Sequence, residues 1–397
     1  MENSQNVLFL LWGAVLVFSM HAGFAFLEAG SVRKKNVVNA FTKIITDWSF
    51  SVIIYFVVGF PIAYGVSLIQ PVSELTNGNG FDLSRFFFLA AFAAVIPAII
   101  SGGIAERAKF WPQVTAGALF VGLVYPFYES LVWGRWGVLG GAEGTLASLF
   151  GAPFHDYAGS VVVHAMGGWL ALPAILFLGP RAGRFVLGES RPLAIHNVPF
   201  VALGSWFLMV GWFGFNVASA QKLEAVSGLV AVNSLLALTS GAVVALLVSE
   251  RDSVFVHNGA LAGLVAVCAG SDLLHPLGAI VVGGVAGAIF VKGFLWANER
   301  WQIDDVLGVW PLHGIAGAWG GLAVGILGYP ALGGAGGISF FSQFIGVAAC
   351  IAIALTAGYV IYSVLHRTTG LRLASHEEER GSDLVIHKSK AYPEELF

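Results

Sequence analysis

Two histidines set among apolar residues carry most of the chemistry this sequence offers. They occupy matching passages, Asp156-Tyr-Ala-Gly159 running on to His164 and Gly168, and Asp305-Val-Leu-Gly308 running on to His313 and Gly317; both read D-x2-G-x4-H-x3-G. Ionisable residues are costly in such apolar segments, so two at equivalent positions read as a functional pair, and histidine is the side chain that changes charge near neutral pH. A residue eight positions along a helix lies roughly 80° around it and about 12 Å along it. Each aspartate therefore falls near a helix start, where its first reading is a cap on exposed N–H groups, and each histidine falls near mid-membrane. Zinc catalysis takes three protein ligands with an open fourth position, and only two histidines converge here, so no metal, cofactor or enzymatic activity is expected. Cys268 and Cys350 lie far apart inside apolar runs and read as small buried hydrophobes.

The elements that must hold this pair follow from composition. Of 397 residues, 57% are hydrophobic and 11% charged, with a mean hydropathy of +0.80, against roughly a quarter charged in a soluble domain. A soluble globule is excluded, and a net charge of −3 without a basic stripe argues against nucleic acid. Apolar stretches of near-spanning length fall at Leu8–Gly30, Trp48–Tyr64, Phe86–Ala105, Val114–Phe127, Ala158–Gly179, Pro199–Ala218, Leu229–Val248, Ala260–Gly270, Gly278–Phe294, Val306–Leu327 and Phe340–Leu365. These predict an all-α polytopic membrane protein of eleven helices. With the amino terminus outside, all but three of the 20 Lys and Arg become cytoplasmic; only Arg85, Arg135 and Lys222 stay outside. The acidic start MENSQ lacks the basic region of a cleavable signal, so the first apolar run reads as a span. Residues 1–365 form the membrane domain and 366–397 a charged cytoplasmic tail.

The matching passages lie five spans apart, an odd number, so they enter the bilayer from opposite faces. That is the pattern of an inverted repeat, helices 1–5 against 6–10, with its site near the midplane. A weaker echo pairs Ala22-Gly23-Phe24 with Phe213-Gly214-Phe215.

Across nearly its whole length the chain resembles the ammonium transporter (Amt/Mep) family of the Amt/Mep/Rh group. The resemblance rests on AGFAFLEAGSVRKKN, GGIAERAKF, LVWG, DYAGSVVVH, HNVPFVALGSWFLMVGWFGFNVASA, DDVLGVWPLHG and GLRLASHEEERGSDL, in that order. It implies an eleven-helix bundle with a pore in each subunit of a homotrimer, in the plasma (inner) membrane, serving nitrogen uptake. It also implies an external ammonium recruitment site at Phe92, Trp133 and Ser219, a gate of stacked rings at Phe92 and Phe215, and twin pore histidines at His164 and His313. Asp156 would support the recruitment site through structure and local field, and Phe88 would pack beside Phe92. Glu28, Glu106 and Asp47 match positions near helix ends and read as caps or loop anchors; Asn216 reads as serving backbone groups at the pore. The tail would cross to a neighbouring subunit, and a PII-type signal protein would dock on the cytoplasmic loops. Two positions depart from the family: Gly308 stands where an aspartate is common, which removes a carboxylate from the cytoplasmic end of span ten, and His21 where a glutamine is common.

The function expected is recruitment of ammonium, its deprotonation, and conduction of ammonia past the histidines, with net charge transfer. The alternatives are an ammonium sensor, set against by a tail too short for a signalling domain, and an electroneutral Rh-like channel, set against by Trp133 and the tail motif.

Overall fold

The computed structural model describes residues 2–76 and 80–392, so the last five residues of the predicted tail, 393–397, lie outside the described residues. Among the described residues nine helices are long and apolar enough to span a bilayer: α1 (Ser4–Ser31), α2 (Lys34–Tyr64), α3 (Phe81–Ile104), α4 (Phe110–Val132), α5 (Ser160–Leu178), α6 (Val198–Ala220), α7 (Val226–Val248), α9 (Pro276–Glu299) and α11 (Phe340–Thr368). Two shorter apolar helices complete the bundle: α8 (Ser253–Val267), and α10, in which a π-helical turn at Trp310–Ile315 runs into Ala316–Leu327. The architecture is mostly helical, as expected, with one short antiparallel hairpin, Phe185–Val186 against Glu189–Ser190, between α5 and α6; the eleven-helix reading is consistent with it. Helices are what lipid dictates, since every backbone polar group must be satisfied within its own segment.

The charged residues moved the boundaries. The sequence reading starts the second helix at Trp48, whereas α2 begins fourteen residues earlier, at Lys34, and carries Lys43 and Asp47 buried within it. Likewise α4 runs through Glu129, which the apolar run stopped short of. Lys43 finds the Glu28 carboxylate at 3.1 Å and Glu129 finds tyrosine hydroxyls, partners for a charge that lipid would reject; Asp47 finds no hydrogen-bond partner among the described residues.

Large apolar side chains such as Trp12, Ile53, Leu247 and Phe341 point outward, while α3 is almost wholly buried at the centre. The first helices of the two predicted repeats lie side by side. A Cβ on Gly23 of α1 would come within 2.9 Å of the Gly204 carbonyl of α6, and one on Gly204 within 2.4 Å of the Leu27 nitrogen. Small residues permit this approach, which van der Waals contact then rewards.

Beyond α11 the chain folds back as α12 (Ser375–Arg380) and α13 (Ser382–His387). It docks on the helix ends of its own chain: Lys109 N–H donates to the Leu371 carbonyl at 2.8 Å and Leu373 N–H to the Arg107 carbonyl at 2.9 Å. The Asp383 carboxylate accepts from the Val38 and Asn39 backbone at 3.0 and 2.8 Å. Glu106, with φ of 73°, anchors the loops of this face through Arg33, Asn36 and Arg181, as a loop anchor should.

Candidate functional site

The two D-x2-G-x4-H-x3-G passages fold into the same local structure, and each residue type in the pattern has a visible reason. Asp156 Oδ2 accepts from the Val161 and Val162 N–H groups at 2.9 and 2.8 Å. Asp305 accepts from Val309 and Trp310 at 2.9 and 2.8 Å. Both aspartates therefore cap, as their first reading held. Gly159 and Gly308 sit at φ of 93° and 71°, the left-handed region where a side chain is strained. At Gly308 a Cβ would also lie 2.5 Å from Phe294, so the aspartate common in the family has no room at this backbone.

Each histidine then stands in a π-helical turn, Ser160–Ala165 or Trp310–Ile315, a wide turn often found at functional sites. The glycines one turn further on let the two turns touch. A Cβ on Gly168 would sit 2.2 Å from the Gly314 nitrogen, and one on Gly317 would sit 2.3 Å from the Ser160 carbonyl. Trp169 fixes the crossing by donating its indole N–H to the Gly314 carbonyl at 3.0 Å. The outcome is an Nδ1 to Nδ1 distance of 3.2 Å between His164 and His313, both buried.

Rings continue the line on either side of the pair. Phe215 lies 5.3 Å from His164 and stacks on Phe92 at 3.8 Å and 8°; Phe92 meets Trp133 edge to face at 6.4 Å. Phe88 packs against Phe92 at 4.6 Å and is itself buried, in keeping with a packing role. Trp133 is held by donating its indole N–H to the Asp156 carbonyl at 2.7 Å. Ser219, at the partly exposed end, donates its hydroxyl to the Phe215 carbonyl at 2.8 Å, which leaves the hydroxyl oxygen's lone pairs to accept.

Beyond His313 comes Phe24, at 6.3 Å. Phe24 on α1 thus stands to His313 as Phe215 on α6 stands to His164, so the weak Phe24/Phe215 echo has a geometric counterpart. Next is a cavity of about 10 Å³ lined by Phe24, Glu28, Ile99, Leu312 and His313 among others, room for about one water. It shares Asn258 and Leu307 with a wider vestibule of about 370 Å³ reached by Arg181, Arg184 and Asp305.

Electrostatics differ at the two ends. Burial pushes the Asp156 carboxyl up to about 6, against the pull of its bonds from Val162 and Val161. The imidazole of His155 is lowered by burial but raised more by its bond to and charge of Asp272, and ends above its ordinary value. At the other end burial raises Asp305 to about 6, whereas for Asp304 burial is outweighed by the Arg181 guanidinium, which takes it down to about 2.

Trp212 and Glu129 escaped sequence reading, and several residues it named take other partners than expected. Trp212 stacks on His164 at 5.0 Å and 25°, with its N–H donated to Cys268 Sγ at 3.1 Å. Cys268 in turn donates to Asn216 Oδ1, whose amide donates to Ser234, so Asn216 serves side chains and not the backbone. Glu129 is fully buried and accepts hydroxyls from Tyr55, Tyr64 and Tyr125. Glu28 and Asp47, expected as caps, lie within the bundle; Glu28 pairs with Lys43 at 3.1 Å. His21 packs inward on Trp48 at 4.3 Å and reaches the Ala91 carbonyl at 3.3 Å. The signal for the carboxylates was present: a lone ionisable residue inside a span.

Comparison with known proteins agrees with this picture. The profile of the Ammonium Transporter Family matches residues 7–392. The ammonium transporter Amt2 of Methanocaldococcus jannaschii is 42% identical, over all of this chain and 93% of that protein; Amt1 of the same organism is 37% identical over 98% of this chain and 97% of that one. A solved structure described as a sensor Amt protein has a TM-score of 0.87 at 30% identity, covering 97% of this chain and 98% of the other. Mep2 of Saccharomyces cerevisiae shares the fold, with a TM-score of 0.81 at 23% identity over 94% of this chain and 90% of its own.

Proposed function

The chain belongs to the ammonium transporter family, and from that premise we propose that it recruits ammonium at the Trp133 end, strips one proton, and conducts ammonia past the histidine pair. It is a multi-pass membrane transporter and not an enzyme. The observation that carries the finer reading is one unbroken file, Trp133, Phe92, Phe215, His164 and His313, with neighbouring rings 3.8 to 6.4 Å apart.

An ammonium ion entering this file loses water. Trp133 and Phe92 replace part of that hydration by cation–π attraction, about 0.5 to 2 kcal/mol per ring, and the Ser219 oxygen accepts one N–H. Phe92 and Phe215, in van der Waals contact, close the way to hydrated ions, so the rings must part for each passage. A bare cation beyond them would be buried without a counter-charge, which costs far more than deprotonation to neutral ammonia. Ammonia then meets two neutral imidazoles.

At 3.2 Å one Nδ1 carries the hydrogen and the other accepts it. It follows that one Nε2 is an acceptor and the other a donor, and that moving a proton along the pair swaps both tautomers without creating lasting charge.

In this reading the amino terminus and the Trp133 end face outward at the plasma membrane. The tail face is cytoplasmic, residues 1–365 form the transport domain, and residues 366–397 form a regulatory tail on a homotrimer to which a PII-type protein docks. The test is uptake of isotope-labelled ammonium into proteoliposomes. Saturable uptake that Trp133→Ala weakens at low substrate supports the reading; binding without uptake by folded protein replaces it with the sensor reading.

A further inference from the structure

Beside the cytoplasmic half of the pathway lies a group of charges that the transport reading leaves without a task. Glu28 of α1, Lys43 and Asp47 of α2 are each about 2% exposed. Glu28 lines the small cavity together with His313. Its carboxylate pairs with Lys43 at 3.1 Å and accepts the hydroxyl of Ser101 on α3. Asp47 stands one helical turn beyond Lys43, and among the described residues neither of its carboxyl oxygens has a hydrogen-bond partner; Ser51 Oγ, one turn further, has none either.

Two carboxylates sharing one ammonium leave one negative charge over. Among the described residues no other charged side chain lines the cavity or pairs with the set: α3 brings Ser101, and α10 and α8 bring His313 and Asn258 to the same cavity. A lone buried charge is too costly to hold, so the set takes up one proton. On Asp47 that proton neutralises the carboxyl that lacks partners. On Glu28 it faces the pathway.

We propose that Glu28, Lys43 and Asp47 form a one-proton store at the wall of the pathway, and that it hands the proton released from ammonium to the cytoplasmic side. Loaded, Glu28 is a carboxylic acid; its O–H bond breaks as an N–H bond forms on ammonia leaving past His313, or an O–H bond forms on vestibule water. The carboxylate so produced is reloaded by an N–H of the histidine pair as the pair's other end takes the proton released from ammonium, so an N–H bond forms for the one that breaks and both imidazoles stay neutral. Lys43 keeps its charge throughout. This rests on reading the ring file as the ammonium pathway with net charge transfer.

The experiment is the current evoked by an ammonium jump at proteoliposomes on a solid-supported membrane, with labelled-ammonium uptake measured on the same vesicles. Asp47→Asn leaves the Glu28–Lys43 pair intact and removes the surplus charge; Glu28→Gln/Lys43→Gln removes the pair that borders the cavity and leaves Asp47 alone, with no carboxyl facing the pathway. Each is expected to cut the current per molecule taken up at least tenfold. Current and uptake in wild-type proportion in both would overturn the store. Should the double variant fail to insert, Asp47→Asn decides alone, because its side chain has no hydrogen bond to lose. A wild type that takes up ammonium with no current would instead contradict the charge-transfer reading beneath this one.

Discussion

At the scale of single residues, the site is set by what each side chain must satisfy in a place without water. Asp156 shows the consequence most simply. Burial lifts its carboxyl from an ordinary value near 4 to about 6, so between those values the folded protein holds a proton that the unfolded chain has lost. Stability from this group is fully present below about pH 4 and falls as pH rises towards 6. Asp156→Asn, which cannot titrate, should remove that part of the slope, up to about 1.4 kcal/mol per pH unit. Unfolding in a denaturing detergent at pH 4, 5 and 6 measures it; parallel curves for variant and wild type would contradict the assignment. The aromatic and histidine residues of the file were legible because motif and resemblance converge on them. Trp212 and Phe24 were not, since a ring in a membrane helix looks the same from sequence whether it faces a pore, a neighbour or lipid. Glu129 was lost for another reason: the apolar run stops before the charge, which sits inside the bundle; Glu28 falls within the first span but reads from sequence as a cap or loop anchor.

At the scale of elements, the repeat is a structural device and the spacing states it. The aspartate caps, the glycine turns left-handed, the π turn widens to carry the histidine, and the next glycine lets the two turns cross. Gly308→Asp tests the turn. It places a side chain in a left-handed residue, at about 1 to 2 kcal/mol, and pushes it into Phe294, so a total loss of about 2 to 4 kcal/mol is expected. Thermal unfolding of the variant, with and without Phe294→Ala to open space, measures it; an unchanged midpoint would mean the backbone there is not fixed as described. The π turns themselves were not legible, because hydrophobic period and helix propensity are the same for either winding. The helical class and the order of the long apolar helices were, since each span must be apolar on its own account.

At the scale of the whole molecule, two halves meet along α1 and α6 and cross at the histidines, while the tail clasps the far ends of the helices. Asp383 joins the clasp to α2 through two backbone N–H groups at 3.0 and 2.8 Å, beside the bonds of Ser382 and His387 to Asn36 and Asn39. Asp383→Ala should weaken tail docking by about 1 to 3 kcal/mol and raise hydrogen exchange across residues 371–392, with the pore helices unaffected. Protection equal to wild type in that segment would show that other contacts suffice. The pairing of the two histidine passages was readable from their spacing. The tail's seat was not, because its partners are the first turns of α2 and loop backbone groups, which no sequence pattern marks as a docking surface. The proposed mechanism rests on ammonia passing along the hydrogen-bonded pair of His164 and His313. Its most direct test is the current from proteoliposomes after an ammonium jump, wild type beside His164→Ala/His313→Ala, with a potassium jump as control. The account predicts a saturable wild-type current that potassium does not evoke and that the double variant, folded and inserted, abolishes or visibly alters in its selectivity for ammonium. A double variant with the wild-type current and the wild-type selectivity would contradict it.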